Sequence, residues 1–182
     1  MPIRITGGLM RGRNVPSPDT SKTRPTASRT REALFNILQG VEKFRVLDLF
    51  AGSGIMGIEA LSRGAASVVA VEMAHAQARL VLQAYKALSL ESKLTLLEKN
   101  ALTLDKESLC ASEGFDLIYA DPPFKDLDYP DLRPYWEWLN PGGVAVFEAP
   151  SRNLPAWVKE ADETGMVQVR RYGESSLVIY RK

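Results

Sequence analysis

Asp121-Pro122-Pro123-Phe124 stands directly after an apolar run, Phe115 to Ala120, and combines a carboxylate, two rigid prolines and a flat ring. An exocyclic amine on a purine is a poor nucleophile because its lone pair is delocalised into the ring. Acceptors aimed at both amine hydrogens favour a pyramidal nitrogen, whose lone pair can attack a methyl sulfonium. Asp121 supplies one acceptor and the Pro122 carbonyl a second, while the prolines hold the backbone with φ fixed and no competing N–H. Phe124 offers a face on which an extruded base stacks, an interaction of roughly 1–3 kcal/mol. Asp121 can also take up the proton as the product forms. Out of context the same tetrad reads as an ordinary turn.

A second constellation lies earlier, in residues 45 to 57. Arg45-Val46-Leu47-Asp48-Leu49-Phe50 reads as a buried strand, Ala51-Gly52-Ser53-Gly54 as a tight turn, and Ile55, Ile58 and Leu61 recur at helical spacing until Gly64. Strand, glycine turn and helix offer unpaired N–H groups and a positive dipole end to a ligand. The next strand, Ser67 to Glu72, ends in a carboxylate 20 residues after Gly52, the offset at which an acid reaches a ribose hydroxyl. This is the pattern of a nucleoside-binding site. Gly52-x-Gly54-x-x-Gly57 also matches the dinucleotide fingerprint, so glycine spacing leaves NAD and S-adenosylmethionine both open. Asp48 leans toward the latter, being badly placed for a pyrophosphate and well placed for a cationic amino-acid group. The tetrad leans the same way, because a dehydrogenase needs a hydride-transfer site and none is evident.

The elements that must position these groups alternate. Ala27 to about Leu38 reads as a helix with Ala33, Leu34, Ile37 and Leu38 on its apolar face; Ala74 to Leu88 as another, with Leu80, Leu82, Tyr85 and Leu88. Strands are expected at Lys93–Leu97, Phe115–Ala120 and Gly143–Phe147, the last after an Asn140-Pro141-Gly142 turn. Met166–Tyr172 and Ser175–Tyr180 form a closing hairpin about Gly173-Glu174. The expected fold is α/β and doubly wound (Rossmann-like), a mostly parallel seven-stranded sheet with a C-terminal antiparallel hairpin. In such sheets ligands bind outside the carboxyl ends of the strands, so residues 121–124 should share a crevice with residues 50–54. Asn100, at a strand exit, either meets an adenine edge or caps a helix.

At the other end, Ile3 to Thr6 and Leu9 to Val15 alternate about Gly7-Gly8 and suggest a small β-hairpin. Residues 1–31 hold seven bases (Arg4, Arg11, Arg13, Lys22, Arg24, Arg29, Arg31) against Asp19, net +6, whereas the remainder is net −5. A basic arm on an acidic domain is a nucleic-acid footprint. The domains expected are residues 1–25, a basic hairpin arm contacting RNA through Arg4, Arg11, Arg13, Arg24 and Arg29, and residues 26–182, a methyltransferase domain. Arg24, Thr26 and Arg29 near the front edge reach either the methionine carboxylate of the cofactor or the RNA backbone. No apolar run approaches the ~20 residues needed to span a bilayer, and no signal peptide is evident. A cytoplasmic protein is expected. Cys110 and His75 are the only residues of their types, so neither a disulfide framework, a metal cluster nor a Ser-His-Asp arrangement is expected.

Together these stretches resemble the RsmD-type family of 16S ribosomal RNA guanine-N2 methyltransferases. The resemblance rests on Arg11-Gly12-Arg13, Arg24-Pro25-Thr26, Arg31-Glu32 with Leu34-Phe35-Asn36, Phe50 to Gly54, Glu59-Ala60-Leu61-Ser62-Arg63 and Asp121 to Phe124, in order along nearly the whole chain. It implies a class I fold and transfer of one methyl from S-adenosylmethionine to N2 of a guanine near the P site. The implied substrate is 16S rRNA in the 30S subunit or a late assembly intermediate, and the implied state a monomer. By position, Asp48, Gly52, Gly54, Glu72 and Asn100 would bind cofactor, with Phe50, Ala51, Ser53, Met73, Ala101 and Thr26 around them. Asp121, Pro122, Pro123 and Phe124 would hold the guanine, and the N-terminal arginines the RNA.

Rival readings keep the fold. A DNA adenine-N6 methyltransferase usually carries a target-recognition domain for which there is no room. A protein glutamine methyltransferase usually begins the tetrad with Asn and leaves the basic arm unexplained. A catalytically idle RNA-binding assembly factor does not need Asp121.

Overall fold

The structure, a computed structural model, describes residues 3–15, 28–106, 109, 113–123 and 129–182. Arg24, Thr26 and Phe124 of the candidate residues, and Cys110, lie outside the described residues. The strands form a two-stranded hairpin and a seven-stranded sheet. The chain divides into two compact units, Met1–Leu104 and Asp105–Lys182.

In the first unit, β1 (Ile3–Arg4) and β2 (Asn14–Val15) pair antiparallel, with Ile3 opposite Val15. Ile3, Ile5 and Val15 are buried, so the hairpin has a core face of its own. Helix α1 (Ser28–Leu38) buries Thr30, Arg31, Leu34 and Phe35. It ends where Gln39 and Gly40 take positive φ. The expected apolar face is therefore rotated: Ala33, Ile37 and Leu38 are half-buried, and a charged residue, Arg31, goes inside. Strands β3 (Arg45–Asp48), β4 (Ser67–Val71) and β5 (Leu94–Leu97) lie parallel in the order β5-β4-β3. The connections between them are α2 (Ile55–Ser62), all of it buried, and α3 (His75–Ala87). In α3 the buried stripe is Ala78, Val81, Ala84 and Tyr85, at helical spacing. Leu80 and Leu82 fall on the flanks of that stripe and are half-buried.

In the second unit the order is β6-β7-β9-β8, with β6 (Phe115–Ala120) and β7 (Leu139–Pro150) parallel, and β7, β9 (Ser175–Arg181) and β8 (Gln168–Tyr172) antiparallel. The closing hairpin and the mostly parallel sheet follow the expected fold. Strand β7 begins earlier than its sequence suggests. The Asn140-Pro141-Gly142 stretch is a bulge rather than a preceding turn, because pairing jumps from Phe115↔Leu139 to Leu117↔Val144. Proline lacks an N–H for the ladder and Gly142 has φ 79°, which together eject the extra residues. Two further elements carry no clear signal in the sequence. Helix α4 (Ala156–Glu163) buries Trp157, Val158 and Ala161, and a 3₁₀ segment, Arg133–Trp138, stacks Trp136 on Tyr180 at 4.0 Å.

Candidate active site

The first unit builds the glycine turn from both sides. The Ala51 N–H donates to the Val71 carbonyl (2.9 Å) and the Gly54 N–H to the Ala51 carbonyl (2.7 Å), which folds the chain from β3 into α2. Gly52 and Gly54 have φ 53° and 74°, and a Cβ at Gly54 would stand 3.0 Å from Val81 and 3.2 Å from the Tyr85 ring. Both conformation and space therefore demand glycine there. Glu72, at the carboxyl end of β4, turns its carboxylate onto this loop. Its Oε2 accepts the Gly52 N–H (3.0 Å) and its Oε1 the Ala74 N–H (2.8 Å). The 20-residue offset read from the sequence thus has a geometric counterpart in a direct bond between Glu72 and Gly52. Gln77, from α3, donates to the Gly52 carbonyl. Phe50 and Ser53 are half-buried and Ala51 is buried within the same turn.

Asp48 is 1% exposed, with the Phe50 and Gly57 N–H groups bonded to its carboxylate. It braces the turn from beneath instead of facing an open cleft. Burial lifts its carboxyl from an ordinary 3.8 to about 7; those two N–H groups oppose the shift, and the charge of Glu72 adds to it. Tyr85 reaches the same place: a Cβ at Gly57 would collide with its hydroxyl. Asp48 Oδ1 and Tyr85 Oη are both buried without a hydrogen-bond partner. A cationic group bound over this turn would, through its field, favour the charged form of Asp48.

One consequence is measurable on the protein alone. Between about pH 4 and 7 the folded chain keeps a proton on Asp48 that the unfolded chain has lost, so stability falls as pH rises through that window. Relative to Asp48→Asn, the wild-type unfolding free energy should decline from about pH 5 to 7 and level off above. Parallel profiles for the two proteins in denaturant titrations would contradict this.

Asn100 acts as a cap. Its Oδ1 accepts the Leu102 N–H (3.0 Å) at the start of the 3₁₀ turn Ala101–Thr103, while Ala101 is buried. Met73 is 69% and Leu102 51% exposed, two apolar side chains just past the ends of the neighbouring strands β4 and β5. Leu102 and Gln77 are not legible from sequence, since neither type carries a motif.

In the second unit, Asp121 is half-buried at the carboxyl end of β6, Pro122 is buried and Pro123 is exposed. Ala120 is paired with Phe147, so Asp121 and Glu148 follow directly on that pair. The Tyr119 hydroxyl donates to Glu148 Oε1 (2.6 Å) and the Tyr129 hydroxyl to the Glu148 carbonyl. Burial first, then the charges of Asp121 and Glu148, push the Tyr129 phenol well above its usual range and keep it a donor. Trp157 backs Tyr129, with ring centroids 6.3 Å apart, and donates to the Pro130 carbonyl (3.1 Å). The one signal that could have flagged Glu148 is its lone carboxylate in the apolar run Val144 to Ala149.

Of the arginines expected on RNA, Arg4, Arg11, Arg13 and Arg29 are exposed. His75 lies on the surface against Glu98 (2.6 Å). Among the described residues there is no cluster of metal-ligating side chains, and no helix long and apolar enough to cross a membrane.

A family model described as "Conserved hypothetical protein 95" matches residues 3–181. Ribosomal RNA small subunit methyltransferase D of Escherichia coli K12 is 40% identical over 126 residues, which cover 68% of this chain and 61% of that relative. The alignment thus spans about three fifths of the relative's length. The protein of the same name from Haemophilus influenzae is 35% identical over 180 residues, 93% of each chain. A solved 16S rRNA N2 G1207 methyltransferase of Thermus thermophilus, in complex with AdoMet and guanosine, superposes with a TM-score of 0.74 at 24% identity, covering 100% of this chain and 50% of that one. That last likeness establishes the fold.

Proposed function

This chain belongs to the RsmD family, and we propose that it transfers a methyl group from S-adenosylmethionine to the exocyclic N2 of a guanine in 16S ribosomal RNA near the P site. The relatives named for small-subunit rRNA methylation support the reaction. The observation that carries it is Asp121, a half-buried carboxylate at the carboxyl end of β6, followed by the buried Pro122. The carboxyl ends of strands are where doubly wound sheets bind ligands.

Residues of the first unit hold the cofactor. Glu72 would meet the ribose hydroxyls, and Met73, Ala101 and Asn100 would flank the adenine. The turn from Phe50 through Ala51, Gly52 and Ser53 to Gly54 would hold the methionine portion, with Asp48 beneath the turn, and Thr26 would bind the cofactor with them. When bound, the cofactor supplies an electrophilic methyl group on a sulfonium. Asp121 and the Pro122 carbonyl would accept the two hydrogens of the guanine amine and so leave its lone pair free to attack an electrophilic methyl. Phe124 stacks on the base, Pro123 stiffens the segment, and Asp121 or water takes the proton released. The basic hairpin arm, with Arg4, Arg11 and Arg13, and with Arg24 and Arg29 beyond it, holds the RNA. A monomer acting on the 30S subunit or a late assembly intermediate would work in the cytoplasm.

Labelled methyl transfer to small subunits from a strain lacking this gene tests the reading, with naked rRNA, DNA and a glutamine-bearing peptide beside them. Label on guanine in the subunits supports it; label only in DNA or peptide overturns it. Charge-removing changes at Arg11 and Arg13 should weaken subunit binding. They should also lower the slope of log K against log salt by about one unit for each phosphate no longer neutralised. An unchanged slope would put the RNA surface elsewhere.

A further inference from the structure

The tip of the N-terminal hairpin is pinned, yet its largest apolar side chain stands in water. Thr6 donates its N–H to Glu59 Oε2 (3.0 Å) and its hydroxyl to Glu59 Oε1 (2.6 Å). Ser62 donates its hydroxyl to the Gly7 carbonyl (2.6 Å) and accepts the Met10 N–H (2.9 Å), and the Leu9 N–H donates to the Ser62 carbonyl (2.7 Å). A Cβ at Gly8, where φ is 76°, would collide with that Ser62 carbonyl, so only glycine lets the tip sit this close to α2. Every one of these bonds to Ser62 fixes hairpin backbone. None buries Leu9, whose side chain is 98% exposed.

A frayed loop exposes apolar groups without consequence; a loop whose backbone is bonded to Ser62 at Gly7, Leu9 and Met10 presents Leu9 in one direction. On the same hairpin, Arg4, Arg11 and Arg13 are all exposed. The turn bonds Arg11 N–H to the Gly8 carbonyl (3.1 Å) and Gly12 N–H to the Ile5 carbonyl (2.9 Å) keep those arginines at fixed offsets from the leucine. A hairpin that exposes one aliphatic side chain and three arginines fits a polyanion that also offers apolar faces. Nucleic acid with unstacked bases has both properties, and side chains such as leucine serve elsewhere as wedges between bases.

We propose that Leu9 is an apolar wedge that packs on an unstacked base of the ribosomal RNA, while Arg4, Arg11 and Arg13 neutralise phosphates beside it. The proposal rests on the RNA substrate assigned above and adds an interaction that reads base exposure instead of charge. It places the hairpin's recognition of a non-helical RNA segment in one side chain.

The test uses the full chain, small subunits from a strain lacking the gene, and the variants Leu9→Ser and Leu9→Met. Leu9→Ser should weaken subunit binding by about tenfold, raise KM far more than it lowers kcat, and leave the salt slope as in wild type. Cofactor affinity and Tm should not move, and Leu9→Met should bind within about twofold of wild type. A photo-crosslinking residue at position 9 should attach to 16S rRNA. Leu9→Ser that binds and methylates as wild type overturns the wedge alone, as does a crosslink solely to a ribosomal protein. Wild-type protein that neither binds nor methylates subunits overturns the RNA reading on which the wedge stands.

Discussion

Under the proposed reaction, Asp121→Ala should lower methyl transfer by about a thousandfold or more, while cofactor affinity should stay within a few-fold. The asymmetry follows from where the residue stands. Asp121 belongs to the exit of β6, whereas the groups assigned to the cofactor belong to the glycine turn, Glu72 and the Asn100 cap in the other compact unit. In the proposed mechanism, removing the carboxylate takes away an acceptor for an amine hydrogen and a base for the proton, both needed only as the new bond forms. Asp121→Asn keeps an acceptor of the same shape without the charge, and should retain more activity than alanine. Single-turnover rates with subunits, beside calorimetric titration of the cofactor, separate the two effects. Transfer surviving in the alanine variant would remove Asp121 from the chemistry.

Glu59→Ala should lower stability by about 3–5 kcal/mol, the scale expected when one partner of a buried ion pair is deleted. Glu59 is wholly buried in α2 and is the hub of a charged cluster. Arg63 reaches it at 2.9 Å, Arg31 lies 3.8 Å away and is itself 2% exposed, and Thr6 bonds it through both N–H and hydroxyl. Arg31 also donates to the Arg4 carbonyl (2.9 Å), and the Arg63 guanidinium lies over the Phe35 ring at 4.6 Å. One carboxylate thereby ties the hairpin, α1 and α2 together. Alanine leaves the Arg31 cation buried without it, and frees Thr6 and the hairpin behind it. Denaturant unfolding should register the loss, and hydrogen exchange should show the Thr6, Leu9 and Met10 amides opening first. Subunit binding should fall with them while cofactor binding persists. A loss below about 1 kcal/mol, in the range of surface pairs, would mean the cluster does not hold the hairpin.

That cluster also marks the boundary of what the sequence discloses. The glycine turn, the acid 20 residues beyond it and the carboxylate after β6 are legible because each is a local pattern, with strand, turn and helix chemistry adjacent in the chain. Glu59 and Arg31 are 28 residues apart, and each alone looks like a solvated helix position. Only the docking of Thr6 and the hairpin tip on Glu59 and Ser62 explains why the stretch Glu59 to Arg63 has its composition. Asp48 is legible by its position, but its full burial and its bonds to Phe50 and Gly57 come from the packing of Tyr85 beneath Gly57. The bulge at Asn140 to Gly142 reads as a turn because a bulge and a turn use the same residues; pairing with Phe115 and Lys182 decides between them. Helix α4 is hidden because its buried face is short, three side chains in eight residues. Glu148 is hidden because a buried carboxylate has a meaning only once its neighbours Tyr119 and Tyr129 are known.

The most direct measurement is nucleoside mass spectrometry of 16S rRNA from the parent strain, a strain lacking this gene, and that strain carrying either the wild-type or the Asp121→Ala gene. One N2-methylguanosine should disappear with the gene, return with the wild-type copy and stay absent with the variant. An unchanged N2-methylguanosine content on loss of the gene, or its return with Asp121→Ala, would contradict it.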